Sequence, residues 1–329
     1  MFAQFKLFLT LGTVVVILLA LIGHTVRDQH IVLALMMYIP LLPLGIWTIL
    51  WDLGQKGQSL PPLRFSLTVV GFILTIWGGL TMIGMGNSQV KTTADMIKLL
   101  HWNVKWGGIG YNGHLTKNYK GDEWPVIRTK IYQYHPDIIV LSEPPQLDDW
   151  LAQLTQQMGP HWSMLKRYRT ERNGIAIFAA GHLQLKRFIH VRQGMAMLVV
   201  ATIHGQALHL LLVDGERSVR ELKTPLLTDV IQATLNNSTS RQTIDMIIGD
   251  FNAVSRSIGF DSYAIAAGGY QLAGKSTRGL RGTWPFFLPL FDIDHVWLHN
   301  RFQIMKVDLF SNINTDHRGQ MVYFKKKGK

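Results

Sequence analysis

The sequence predicts two parts: a front of three apolar helices, and an α/β domain in which two β-sheets pack together with helices outside. Three observations carry this reading. First, the segments 7–26, 29–51 and 65–90 contain no Asp, Glu, Lys or Arg. Second, the chain behind them shows short apolar runs of strand length between turn signals, with few helical periodicities. Third, charge is unevenly divided. Residues 1–90 hold four basic residues (Lys6, Arg27, Lys56, Arg64) and two acidic ones (Asp28, Asp52), leaving 29 of the 33 basic and 19 of the 21 acidic residues behind them. The result is a nearly uncharged front and a basic, water-compatible back.

Each charge-free segment supplies about 20 helical residues, enough at about 1.5 Å per residue to cross a bilayer core. Helices are expected at about 7–26, 29–51 and 65–86, in a membrane region 1–90 followed by a water-compatible domain 91–329. Pro40 and Pro43 are expected to kink the second helix, which membranes tolerate. Trp47, Trp51 and Trp77 suit interfacial or packing positions. A signal peptide is the alternative for the first segment, but no small-x-small cleavage site follows it. Buried core helices are the alternative for the other two. Lys6, Lys56 and Arg64 lie on one side, and Arg27, Lys91 and Lys98 on the other. At three against three, the positive-inside rule favours neither orientation. The expected orientation puts the amino terminus inside and the carboxy-terminal domain outside the cytoplasm. There are no cysteines, which excludes disulfides, thiolate metal sites and cysteine nucleophiles.

Strands are expected at 96–104 ("MIKLLHWNV"), 137–143 ("DIIVLSE"), 174–180, 195–203 and 207–214, with a hairpin turn at His204-Gly205-Gln206. Further strands are expected at 243–250, 293–299, 303–310 and 319–324. Helical spacing at Val126, Ile127, Ile131 and Tyr134 marks a helix over 124–135, and a second is expected over 219–236. The basic stretch "KRYRTERNG" (166–174) reads as a solvated loop, and "KKKGK" as a solvated tail.

Several of these strands end in polar residues that a core would not want. Asn103 ends one. Glu143 ends another and is stiffened by Pro144-Pro145. Asp250 and Asn252 follow Met246-Ile247-Ile248. Asp294 stands beside His295, and Asp316 beside His317. Singly, each fits a cap or an Asx turn. Gathered at one sheet edge, they form a hard oxygen donor set that suits Mg2+ or Mn2+ rather than zinc. Such an ion polarises a phosphoryl oxygen and activates water. The basic surplus suits an anionic substrate.

The set "WNVKWG", "VLSEPP", "NGIAIF", "IIGDFNA", "TWP…IDHVWL", "TDHRG", in this order over about 98–325, resembles the endonuclease/exonuclease/phosphatase (DNase I-like) superfamily. The front resembles bacterial members with transmembrane helices before the catalytic domain. The resemblance implies a four-layer α/β/β/α sandwich behind three transmembrane helices, in a bacterial inner membrane. It implies a membrane-anchored phosphoesterase of phosphodiesterase or nuclease type, dependent on Mg2+ or Mn2+. A lipid head group or a nucleic acid is the substrate, the lipid bilayer is a partner, and no obligate protein partner is inferred. By position, Glu143, Asn103 and Asp316 hold the metal. Asp250 orients or deprotonates the attacking water, Asn252 binds the scissile phosphate and positions Asp250, and His317 contacts the phosphate oxygen that becomes negative. Asp294 fixes the His317 tautomer. His295, one position on, faces the other side of its strand. Trp284 shapes either the substrate rim or the packing. One position departs from the family: Asp214 stands where members carry a His or Tyr that meets the phosphate. A lost contact, an altered substrate and a local misalignment all fit, and Arg217 is near enough to supply a donor. The alternative reading is a catalytically weak or inactive domain that binds phosphate-bearing ligands.

Overall fold

The computed structural model describes residues 2–54, 65–86, 93, 95–108, 123–170, 173–218, 220–239 and 243–328. They form two compact units: Met1–Ile83 with the short piece Val219–Leu222, and Gly84–Ser218 with Lys223–Lys329. Lys56, Arg64 and Lys91, used above to weigh orientation, lie outside the described residues.

The front unit contains α1 (Phe2–Val26), α2 (Ile31–Met37), α3 (Leu41–Gly54) and α4 (Ser66–Met82). Among the described residues one helix is long and apolar enough to cross a membrane, the Gln4–Val26 part of α1. The expected second span is broken: α2 and α3 meet at 60°. The break falls at Pro40, which has no N–H to continue α2, while Pro43 sits harmlessly in the first turn of α3. The third is shorter than expected, at 17 residues. Helices α3 and α4 pack through small residues. A Cβ on Gly45 would fall 2.5 Å from Thr75, and one on Gly78 2.3 Å from Leu42. Large apolar side chains such as Trp47, Leu50, Phe72, Ile76 and Leu80 are left exposed. The Asp52 carboxylate accepts the N–H and hydroxyl of Thr68, both at 2.7 Å, and caps the first turn of α4.

Among its described residues the larger unit is built from strands and three α-helices. In chain order these are β1 (Ile83–Met85), β2 (Ile97–Asn103), α5 (Glu123–Gln133), β3 (Ile138–Ser142), α6 (Asp148–Met158), β4 (Trp162–Thr170), β5 (Asn173–Ile189) and β6 (Gly194–Ile203). There follow β7 (Gln206–Gly215), α7 (Thr224–Thr239), β8 (Met246–Asp250), β9 (Tyr270–Leu272), β10 (Arg278–Leu280), β11 (Asp294–His299), β12 (Phe302–Phe310) and β13 (Gly319–Lys326). Apart from the small pair β1–β10, the strands run in the order β12-β13-β2-β3-β5-β6-β7-β8-β11-β9, with β4 added on β5. β5 joins the two halves. Its first part pairs with β3 and β4, and its second part, from Gly181, pairs with β6. A Cβ on Gly181 would lie 2.1 Å from the Thr202 carbonyl oxygen, so only glycine fits where the strand changes partners. Each half holds one parallel pair, β2–β3 and β7–β8, bridged by α5 and α7 respectively.

Side-chain alternation sorts the strands into layers. Ile97, Leu99, Ile138, Val140, Leu210, Leu212, Met246, Ile248, Val296 and Leu298 meet between the two halves. The alternate residues Leu100, Trp102, Ile139 and Leu141 pack under α5 and α6. Leu211, Val213, Ile247 and Trp297 pack under α7. This is the helix–sheet–sheet–helix layering that the resemblance implies. Elsewhere the structure corrects the expectations. Of the basic stretch, residues 166–170 belong to strand β4 and 173–174 open β5, where a loop was expected. β5 runs nine residues past the expected 180. α6 was not expected, and α7 starts at Thr224 rather than 219.

Candidate active site

The same alternation delivers the site. Asn103, Ser142, Asp214, Asp250 and Asp294 share the phase of the residues between the sheets, each at one end of its strand. Four of those strands form the parallel pairs, whose carboxyl ends lie together. Asn103 aligns with Ser142, Asp214 with Asp250, and Asp250 with Asp294 across the ladders. Gly249 makes the last rungs possible. It has φ +155, and a Cβ there would sit 1.7 Å from the Val213 carbonyl oxygen.

Asn103 is the hub. Its Nδ2 donates to Asp250 Oδ2 at 2.9 Å and to Glu143 Oε1 at 3.2 Å, while its Oδ1 accepts from the Lys105 N–H at 2.9 Å. His317 donates through Nδ1 to Asp294 Oδ2 at 2.8 Å, and its Nε2 lies 4.0 Å from Asp250 Oδ2. The His317 carbonyl accepts from Trp102 Nε1, which ties its loop to β2. Among the described residues, Asp250, Asp294 and His317 form one group with ligand-type atoms all within 4.8 Å of one another. His295, one residue after Asp294, faces the α7 side, bonds the Ala253 carbonyl at 2.7 Å and packs against Phe251 and Phe260.

Burial and mutual charge set the protonation states. Burial, reinforced by the Asp294 carboxylate, pushes Asp250 up to about 7. Burial alone would depress His317, but Asp294 outweighs it and raises the imidazole to about 10. Burial likewise works to raise Asp294, but His317 holds it below the ordinary carboxylate range. Glu143 is raised by burial, against the opposing charge of Arg217. Burial also pushes His101, behind the site, down to about 4, so it is neutral there. The arrangement is a carboxylate–imidazole pair facing a carboxyl that can exchange a proton near neutrality.

Two expectations meet a different local geometry. Strand alternation ends at Asp250, so it does not carry Asn252 to the same face. Asn252 is left-handed (φ 48), its N–H bonds Asp250 Oδ1 at 2.8 Å and its Nδ2 bonds the Gly215 carbonyl at 2.9 Å. It steadies Asp250 through an Asx turn. Asp316 is not among the three residues grouped at Asp250; it is partly exposed and ion-paired with Lys105 Nζ at 3.1 Å, while its charge still acts on Glu143 and His317. Glu143 is placed by a left-handed backbone (φ 47), and its Oε2 is buried with no hydrogen-bond partner among the described residues. Asp214 is buried beside Glu143 and Asp250, accepts the Gly174 N–H at 2.7 Å, and is pushed well above the usual range by burial and then by those two carboxylates. Arg217 Nε lies 3.5 Å from Glu143 Oε1. Trp284 is half-buried against Phe291, on a loop whose Phe286 N–H bonds the Asp316 carbonyl. The sequence reading missed Lys105. Its signal was its place two residues after Asn103, in the turn where Lys105 and Trp106 both take positive φ.

The sequence pattern of the endonuclease/exonuclease/phosphatase family matches residues 100–317. None of the curated proteins compared matches the chain. Among solved structures, the catalytic domain of human nocturnin with bound sulfate is similar at a TM-score of 0.53 and 16% identity, covering 72% of this chain and 97% of that one. An endonuclease/exonuclease/phosphatase from Bacteroides vulgatus aligns at a TM-score of 0.53 and 11% identity, covering 72% of this chain and all of its own. A mannosyl-6-phosphatase from Bacteroides thetaiotaomicron aligns at 0.51 and 13% identity, covering 69% of this chain and 99% of its own. These likenesses establish the DNase I-like fold. With two thirds of the chain under the family pattern, the protein belongs to the endonuclease/exonuclease/phosphatase family, whose members are hydrolases of phosphoester bonds.

Proposed function

We propose that the chain is a membrane-anchored, Mg2+- or Mn2+-dependent phosphoesterase of phosphodiesterase or nuclease type. The observation that carries this reading is the convergence of Asn103, Glu143, Asp250, Asp294 and His317 at one end of the inter-sheet layer. The donors suit a hard divalent cation: among the described residues Glu143 keeps a buried oxygen without a hydrogen-bond partner, beside the Asn103 amide and the carboxylate of Asp250. Glu143, Asn103 and Asp316 would hold the ion, which when bound polarises a phosphoryl oxygen and favours a nucleophilic water. Asp250 takes the proton of the attacking water. Asn252 keeps Asp250 in place through its N–H. His317, oriented by Asp294, donates to the phosphoryl oxygen that gains charge. The substrate is a phosphoester of a lipid head group or a nucleic acid. The division at residue 90, three membrane spans and a catalytic domain outside the cytoplasm at a bacterial inner membrane belong to the same proposal. The length of α1, the small-residue packing of α3 on α4 and their exposed apolar faces support it.

Asp214 favours a second reading, a weak or inactive phosphate-binding domain, because an acid stands where the family carries a neutral donor. Turnover of bis-p-nitrophenyl phosphate by the full chain with Mg2+ or Mn2+ separates the two. The phosphoesterase reading expects turnover that is lost in Asp250→Ala and His317→Ala with the fold retained. Activity persisting in both variants contradicts the mechanism, and ligand binding without turnover favours the second reading.

A further inference from the structure

Two cations border the site, and each is held by a carboxylate that the phosphoesterase reading gives to the metal. Lys105 is paired with Asp316, and Arg217 with Glu143. The pairs differ in kind. The Asp316 side chain is 31% exposed, so water shares its charge. The Glu143 side chain is 3% exposed, and one of its oxygens has no donor among the described residues. A buried carboxylate half-served by the protein is costly to keep. It is nevertheless fixed there by a left-handed backbone and by its N–H on the Gly174 carbonyl.

Arg217 is the opposite kind of partner. Its side chain is half exposed, it lies on the irregular stretch after β7, and it reaches Glu143 by Nε at 3.5 Å rather than by a bidentate fork. Compare Arg192, whose Nε and Nη2 both close on Asp229 at 2.8 to 3.3 Å. A loosely held guanidinium on a fixed, underserved carboxylate is a counterion that another cation can displace. A divalent ion on Glu143 would repel Arg217 at this distance and free its guanidinium beside the site.

Resting on the phosphoesterase reading, we infer that Arg217 is a placeholder cation: it neutralises Glu143 before a divalent ion binds, and afterwards turns to the non-bridging oxygens of the substrate phosphate. The inference also meets the departure at Asp214. That carboxyl is occupied by the Gly174 N–H, and the phosphate donor comes instead from three residues further along.

A placeholder has a signature that a merely structural residue lacks: its removal moves metal and substrate binding in opposite directions. In the full chain, Arg217→Met is expected to tighten Mg2+ binding about 3- to 10-fold by titration calorimetry with the metal alone. The KM for bis-p-nitrophenyl phosphate is expected to rise by about 10-fold or more. Arg217→Lys should fall between wild type and Arg217→Met on both scales. Arg192→Met, which removes one positive charge away from the site, should change neither. Unchanged or weaker Mg2+ binding in a folded Arg217→Met overturns the inference. If the wild type binds Mg2+ but hydrolyses no phosphoester, the phosphoesterase reading fails, and the calorimetric comparison still judges the placeholder.

Discussion

Strand β8 carries a buried aspartate at each end, and the two could hardly be more different. Asp245, just before its start, is fully served. Its Oδ1 accepts both Nε and Nη2 of Arg301, and its Oδ2 accepts the His209 N–H at 2.8 Å. Asp250, at its other end, receives an amide from Asn103 and the Asn252 N–H, but its nearest cationic group is His317 Nε2 at 4.0 Å. Both side chains are out of water. Burial alone therefore does not mark a functional acid. What marks it is a demand that the protein leaves open. Asp245 is satisfied inside the fold and acts as a staple. Asp250, with Glu143 and Asp294 beside it, keeps capacity for a ligand and a proton.

On the proposed metal-dependent reading, removing the divalent ion should strike hardest at the open end. Chelation by EDTA should reduce phosphoester turnover to background and Mg2+ should restore it; undiminished turnover in EDTA would show that the open carboxylates serve no ion. Next in size is Asp294→Asn. It leaves the shape of the site but misorients His317 and removes its counter-charge, so kcat should fall about 10²- to 10⁴-fold with the fold retained. A loss confined to KM would argue against that orienting role. At the closed end, Asp245→Asn should cost about 2–4 kcal/mol of stability, read from denaturant unfolding, because Arg301 loses its partner.

The smallest effect is on pH. In metal-free protein, Asp250 binds its proton more tightly when folded, with a value near 7 against the ordinary 3.8. A carboxyl raised in this way costs stability as pH climbs from about 4 to 7, because only the unfolded chain releases the proton early. Asp250→Asn removes that cost. Metal-free Asp250→Asn should therefore melt above the wild type at pH 8, with the gap closing by pH 4. A gap that widens on acidification would reverse the assignment.

Much of this contrast was legible in the sequence, because alternation on a strand is rigid. Once "MIIGD" is a strand with Met246 and Ile248 inward, Asp250 must share their face. The same logic places Asn103 and Asp294. It stops where strands stop: Asn252 and Glu143 take positive φ, and no periodicity foretells where such residues aim. The pairing of Arg217 with Glu143 and of Lys105 with Asp316 depends on loops brought together only by the fold. In the framework, the second half of β5 was hidden because Gln184 to Phe188 are exposed and mostly polar, which reads as loop. Helix α6 was findable. Trp150, Leu151 and Leu154 have helical spacing, and Asp148 and Asp149 suit its first turn. The break between α2 and α3 was foreshadowed by Pro40, but its 60° angle reflects packing in three dimensions.

The sharpest single experiment sets the two aspartates of β8 against each other. Asp250→Asn and Asp245→Asn are made in the full chain, and each is assayed for Mg2+-dependent hydrolysis of bis-p-nitrophenyl phosphate and for thermal melting. The expected result is crossed: Asp250→Asn melts no earlier than the wild type and loses turnover, whereas Asp245→Asn melts early but turns over normally below its transition. Two variants that lose the same property, or an Asp250→Asn that turns over as well as the wild type, would contradict the division of roles between the two ends of the strand.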